Sequence, residues 1–188
     1  MFYNMDVSLL RRISQYFGAK DRMTYIVAGS VAPDFALKSL DGKGFSLPTA
    51  LEKGPVLLAF FKIGCPTCQY TFPFIERLYQ RFKGPDISIV GISQNGAEKT
   101  LSFNKEYGVT FTVLLDEESK GYAVSNAYGL TNVPTILLVD TDGSVIVSSM
   151  GFVKKDMETI ANYFAERAKL AKAPLFLPKE SVPANKPG

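Results

Sequence analysis

Two residues can carry chemistry that few others in this chain could: Cys65 and Cys68, the only cysteines of the protein, spaced Cys65-Pro66-Thr67-Cys68. A thiolate attacks a disulfide sulfur, forms a mixed disulfide and is released by a second thiol, so a paired dithiol suits thiol-disulfide exchange. A zinc site would need more ligands than two sulfurs, and the chain has no histidine. Carboxylates or a second subunit would have to complete four ligands. An iron–sulfur cluster fails on the same count. The lack of histidine also removes Ser-His-Asp and Cys-His catalysis in their usual forms. No metal and no cofactor are expected.

The flanking sequence places the dithiol. Val56-Leu57-Leu58-Ala59-Phe60-Phe61 is a continuous apolar run that reads as a strand buried on both faces, and it ends at Gly64. After the cysteines, Phe72, Ile75, Leu78, Tyr79 and Phe82 recur at helical spacing, so a helix is expected over 65–82. Pro66 suits its first turn, where the missing N–H has no intrahelical role. The free N–H groups of that turn stabilise a nearby anion by about 0.3–1 kcal/mol, and by about 2 in favourable geometry. At about 1.4 kcal/mol per pKa unit, the helix alone can lower a thiol by about one unit. Cys65 is therefore expected to be the exposed nucleophile with a lowered pKa, and Cys68 the shielded resolving thiol. Lys62 is expected to be an exposed lysine at the strand end.

Apolar residues make up 46% of the 188, which excludes a disordered chain and gives one domain with extensions. Lysines and arginines are scattered among acids with a net charge of only +3, so no nucleic-acid partner is implied. No stretch reaches the ~18 apolar residues of a membrane span. Met1 to Ala28 carries Arg11, Arg12, Lys20, Asp21 and Arg22 and lacks a signal-peptide pattern. The chain as written is expected in the cytoplasm, where a dithiol rests reduced. A truncated or misassigned N-terminus would make it periplasmic or exported.

Along the chain, residues 1–28 read as a helical extension. Asp6 is its N-cap, and Leu9, Leu10, Ile13, Tyr16 and Phe17 lie on one face. That face is expected to pack on the domain, with a membrane-surface or dimer contact as the alternative. A hairpin around Asp41-Gly42 follows, then a helical turn over 48–52. Further strands are expected at 87–93, 113–116, 134–140 and 144–150, with helices at 97–107, 119–128 and 155–172. Leu101 and Phe103 are read as apolar members of the helix at 97–107. The order is β-hairpin, β, α, β, α, β, α, β-β, α. Alternation of β and α gives parallel crossovers, and the closing hairpin gives antiparallel strands. The expected class is α/β, a mixed central sheet flanked by helices, spanning 29–172. Four prolines after Ala173 make 173–188 a proline-rich tail, extended or disordered.

Three features resemble the thioredoxin-like superfamily: Cys65-Pro66-Thr67-Cys68 between strand and helix, Pro73 within that helix, and Thr131-Asn132-Val133-Pro134-Thr135 before a long strand. Ala32-Pro33-Asp34-Phe35, Leu40-Asp41-Gly42 and the extra strand-helix segment within 94–128 resemble its TlpA- and ResA-type redoxin branch, neighbour to the AhpC/TSA peroxiredoxins. The resemblance covers residues 30–170. It implies a thioredoxin-like fold with an N-terminal hairpin and an inserted strand-helix segment. It also implies a cis bond before Pro134, which would face the dithiol. Pro66, Thr67, Val133 and Pro134 would then form the substrate-binding surface, with Val133 offering its backbone to an extended segment. The chain departs from the family pattern at Ala59, where thioredoxins usually carry a buried aspartate. Gly64 stands where TlpA-like proteins often have tryptophan, and Thr71 where many ResA-type proteins have glutamate. The usual carboxylate that moves a proton to and from the second cysteine is missing.

The expected activity is thiol-disulfide oxidoreduction, with a disulfide-containing protein or small thiol as substrate and an unidentified upstream electron donor or acceptor. With no histidine between the cysteines, the pair is expected to act as a reductant. A peroxiredoxin-type peroxidase is the alternative. That family's P-x-x-x-[ST]-x-x-C loop would place its proline and hydroxyl at Leu58 and Lys62 if counted from Cys65, or at Phe61 and Cys65 if counted from Cys68, and neither frame fits. A non-enzymatic binding module using the Val133-Pro134 groove would leave the dithiol without a purpose.

Overall fold

The computed structural model describes residues 25–188. The expected helix at 6–17, and most of the 1–28 extension, lies outside the described residues.

Two short strands, β1 (Ala36–Lys38) and β2 (Gly44–Ser46), pair antiparallel and lead into a single-turn helix, α1 (Leu47–Leu51). The central strand β3 (Val56–Phe61) feeds the long helix α2 (Pro66–Phe82). Then come β4 (Ser88–Ser93), α3 (Ala97–Tyr107) and β5 (Thr112–Leu115). After a 3-10 turn at Glu118–Lys120 and the short α4 (Ala123–Ala127) come β6 (Thr135–Val139), β7 (Val145–Met150) and β8 (Phe152–Val153). The helix α5 (Lys154–Arg167) and β9 (Asn185–Lys186) complete the chain. The five-stranded sheet has the order β5-β4-β3-β6-β7. β3 pairs parallel with β4 and antiparallel with β6; β4–β5 is parallel and β6–β7 antiparallel.

Alternation along β3 builds the core on both sides of this sheet. Leu57, Ala59 and Phe61 join the cluster made with Phe72, Ile75 and Leu78 of α2, Phe103 of α3 and Ile160 and Phe164 of α5. Val56, Leu58 and Phe60 face the other way, onto Phe35, Leu47, Val124 and Tyr128. A strand with helices on both faces has no polar side, which is why its sequence is unbroken apolar residues.

Several expectations need correction. The segment 119–128 is not one helix: Gly121 (φ 67°) and Tyr122 (φ 50°) are left-handed and split it into the 3-10 turn and α4. The last helix stops at Arg167 rather than 172. Lys169 turns left-handed (φ 54°), and the Leu170 N–H folds back to the Ala165 carbonyl at 2.8 Å, a closure of the Schellman kind. Leu101 points to solvent, and Phe103 alone of that pair enters the core. The largest difference is the proline-rich segment. Residues 173–188 are not free, and they are not extended throughout, since the Glu180 N–H closes a turn on the Leu177 carbonyl at 2.9 Å. Leu175 and Phe176 are buried against the α2 and α5 side of the core, and β9 pairs antiparallel with β8. Prolines limit regular structure there to the two residues of β9 but do not prevent packing, and Phe74, Phe152 and Phe176 form a mutual ring cluster.

Candidate active site

Cys65 is the N-cap of α2, and its side chain does there what a serine or aspartate oxygen does elsewhere. Its Sγ accepts the Cys68 N–H at 3.2 Å. Pro66 follows at the first helical position, costing no hydrogen bond. The loop before Cys65 is pinned from two sides. The Asn95 side chain accepts the Ile63 N–H at 3.0 Å, and the Gln69 amide donates to the Ile63 carbonyl at 2.9 Å. Cys65 is half-buried, Pro66 is exposed, and Cys68 is fully buried one turn into the helix. Both are free thiols. Burial pushes the Cys68 thiol far above its ordinary range, and its hydrogen bond with Cys65 adds to the effect.

The Val133–Pro134 peptide bond is cis, as the family resemblance implied. It brings the Val133 carbonyl to the dithiol, where the Cys65 thiol donates to it at 3.1 Å. The loop is held by the Thr135 hydroxyl, which donates to the Asn132 carbonyl at 2.7 Å, and by the Gly151 N–H on the Pro134 carbonyl at 2.7 Å. Cys65, Cys68, Pro66, Thr67, Val133 and Pro134 are thus gathered where α2 begins and β6 begins, although the two segments lie 68 positions apart.

Ala59 is fully buried in the apolar core, and Thr71 is buried with its hydroxyl turned back to the Thr67 carbonyl at 2.6 Å. Neither offers a carboxylate to Cys68. The Lys62 ammonium stands over the Tyr122 ring, 5.6 Å from its centre. Together with Gln94, Asn126, Asn132 and Val133, these two residues border a cavity of about 210 Å³ beside the dithiol.

Sequence reasoning missed four participants. Asn95 and Gln69 carry no local signal, since amides in a loop and on a helix are ordinary. Asn132 lies within the quoted motif but was given no role there, and its amide donates to the Gly188 carbonyl at 3.2 Å. The fourth is the end of the described chain: the Thr67 hydroxyl donates to the Pro187 carbonyl at 2.6 Å.

A solvent-facing thiol capping a helix, a buried thiol behind it and a cis-proline loop across from both define a thioredoxin-like redox protein. Comparison with known proteins agrees. The AhpC/TSA family model matches residues 28–148. The thiol-disulfide oxidoreductase ResA of Halalkalibacterium halodurans is 32% identical over 131 residues, 69% of this chain and 72% of that protein. ResA of Bacillus subtilis is 32% identical over 133 residues, 70% of this chain and 72% of its own length. Among solved structures, the thioredoxin domain of a Bacteroides vulgatus thiol-disulfide oxidoreductase superposes with a TM-score of 0.65 at 25% identity. It covers 74% of this chain and 98% of that one. A thiol:disulfide interchange protein from Bacteroides sp. gives 0.65 at 25% identity, over 78% of this chain and 93% of that one. This chain belongs to the AhpC/TSA family, as a thioredoxin-like protein of the TlpA/ResA type. Thiol-disulfide oxidoreduction is the class of its chemistry, and disulfides or thiols are its substrates.

Proposed function

We propose that Cys65 is the attacking thiol and Cys68 the resolving one in the reduction of disulfides that dock along Val133 and Pro134. The Cys65 thiolate attacks one sulfur of the substrate disulfide, and a mixed disulfide forms as the other sulfur leaves as a thiolate. Cys68 then gives up its proton to water and attacks Cys65. The second substrate sulfur departs, and the Cys65–Cys68 disulfide holds the two electrons' worth of oxidation. A dithiol donor restores the pair. The observation that carries this reading is the asymmetry of the two thiols: Cys65 half-buried at the helix N-terminus, Cys68 fully buried behind it. The Cys65 sulfur takes the Cys68 N–H at the first turn of α2, which holds it in place to meet an incoming disulfide. Pro66 and Thr67 form one rim of the docking surface and Val133 and Pro134 the other, where a substrate segment lies extended.

Turbidimetric reduction of insulin with dithiothreitol as donor tests the assignment. Cys65→Ser abolishes turnover, and Cys68→Ser accumulates a mixed disulfide at Cys65 visible by mass spectrometry. Full turnover by Cys65→Ser would remove the assignment.

A further inference from the structure

The surface just described is already covered by the protein's own chain. β9 runs antiparallel to β8, with Phe152 opposite Lys186 and Val153 opposite Asn185, and the Lys154 N–H donates to the Ala184 carbonyl at 2.8 Å. From there the chain passes over the start of α2. The Lys186 ammonium sits 4.9 Å from the centre of the Tyr70 ring, and the Pro187 carbonyl takes the Thr67 hydroxyl. Thr67, between the two cysteines, is left only 8% exposed. Gly188 lies against the cis-proline loop, with its carbonyl held by Asn132.

The fit is backbone against backbone. A Cβ on Gly188 would lie 2.7 Å from the Val133 carbonyl oxygen, and one on Gly151 2.3 Å from that of Lys186. Gly151 also has φ +78°, so glycine is required there on two grounds. Pairing to a short strand edge, one side-chain hydroxyl reading a carbonyl and a glycine pressed on the loop are how an extended peptide is bound. The same groove wall, Val133, accepts the Cys65 thiol.

We propose that residues 184–188 are a resident competitor in the peptide groove: they occupy the path by which an extended segment of a protein disulfide reaches Cys65, and they leave when it enters. This rests on the docking surface proposed above. Its ligand class is an extended peptide that places a glycine against Val133. Small disulfides need no groove, so the strap discriminates by substrate size.

The test compares the full chain, a variant lacking residues 184–188, and Gly188→Leu, which leaves the chain length and every anchor before it intact. Each is assayed as pre-reduced protein with insulin and with hydroxyethyl disulfide. A groove filled nine-tenths of the time weakens apparent affinity for its ligand about tenfold, so both variants should gain about tenfold in rate on insulin at low concentration. The rate on hydroxyethyl disulfide should change less than about twofold in the same comparison. The peptide Pro183-Ala184-Asn185-Lys186-Pro187-Gly188, added to the shortened variant, should restore the slow rate on insulin alone. Equal insulin rates in all three proteins, or a peptide without effect, would overturn the competitor. Loss of both rates in full-length Cys65→Ser, alongside equal insulin rates, would show that the cysteine assignment stands while the strap is only structural. If Cys65→Ser keeps both rates, the underlying function fails instead.

Discussion

The Cys65 thiol and the Val133 carbonyl meet at 3.1 Å, joining the start of α2 to the loop before β6. The contact places the sulfur beside the cis-proline loop, the surface proposed above to align an extended substrate. It also leaves Cys68 behind the reacting face, with no carboxylate at Ala59 or Thr71 to take its proton. The consequences for rate, stability and access are separable.

Resolution should depend steeply on pH. Burial holds the Cys68 thiol protonated well above its ordinary pKa of 9.0, and only its thiolate attacks. Release of a small thiol from a Cys65 mixed disulfide should therefore accelerate roughly tenfold per pH unit through the neutral and mildly alkaline range. Rapid-quench mass spectrometry from pH 6.5 to 9 measures it. A plateau near neutrality would show that another group activates Cys68.

Stability should fall on the alkaline side. Burial raises Tyr128 far above its ordinary value of 10.0, while burial and the Asp140 carboxylate raise Tyr163 to about 12. Cys68 is raised as well. The unfolded chain releases these protons near pH 9–10 while the folded chain keeps them. Their contribution is complete below about pH 9 and is lost as pH rises towards the folded values. Melting temperature should drop between pH 8.5 and 10.5. Tyr128→Phe loses the 2.8 Å bond to the Pro33 carbonyl, costing about 1 kcal/mol at pH 7, but flattens that drop.

The root of the strap should come loose without Arg77. Its guanidinium clasps Glu180 through two bonds of 2.9 and 2.7 Å and also reaches the Leu175 carbonyl. Arg77 and the Leu177 N–H hold the Glu180 carboxyl down at about 2, so the clasp is complete above its ordinary value of 4.5 and is lost as pH falls through about 2. Arg77→Ala should speed tryptic cleavage after the already exposed Lys179 at neutral pH, and 1 M salt should do so in part for the native protein. Identical digestion of the variant and native chains would mean that Phe176 alone anchors the segment.

Asp116 should matter to the pocket beside the dithiol. It is buried after β5 and accepts the Val124 N–H at 3.2 Å, the Ser125 N–H at 2.7 Å and the Ser125 hydroxyl at 2.7 Å. Asp116→Ala strands these donors and should cost about 2–3 kcal/mol by urea denaturation. A loss under about 0.5 kcal/mol would mean that water replaces the carboxylate.

How far the sequence could be read follows the range of the interactions. β3 and α2 were legible because an unbroken apolar run and a helical repeat are local patterns, and the dithiol sits between them. The cis bond at Pro134 came only through the family resemblance. The split at Gly121 and Tyr122 was missed because the left-handed Tyr122 carries no local signal of its own. α5 was read too long because Ala168 to Lys172 are good helix formers and the turn at Lys169 is not a glycine. The strap was illegible for a different reason. Its partners, Thr67 and Pro187, are 120 positions apart, and proline content reports what a segment cannot form alone, not what it rests against.

The strap is fastened at Glu180, while the ladder beyond is two residues long. Residues 184–188 can therefore swing out while Glu180 stays tied. Dilution, which separates any ordinary inhibitor from its enzyme, leaves this one at the same local strength in a test tube as in a crowded cell.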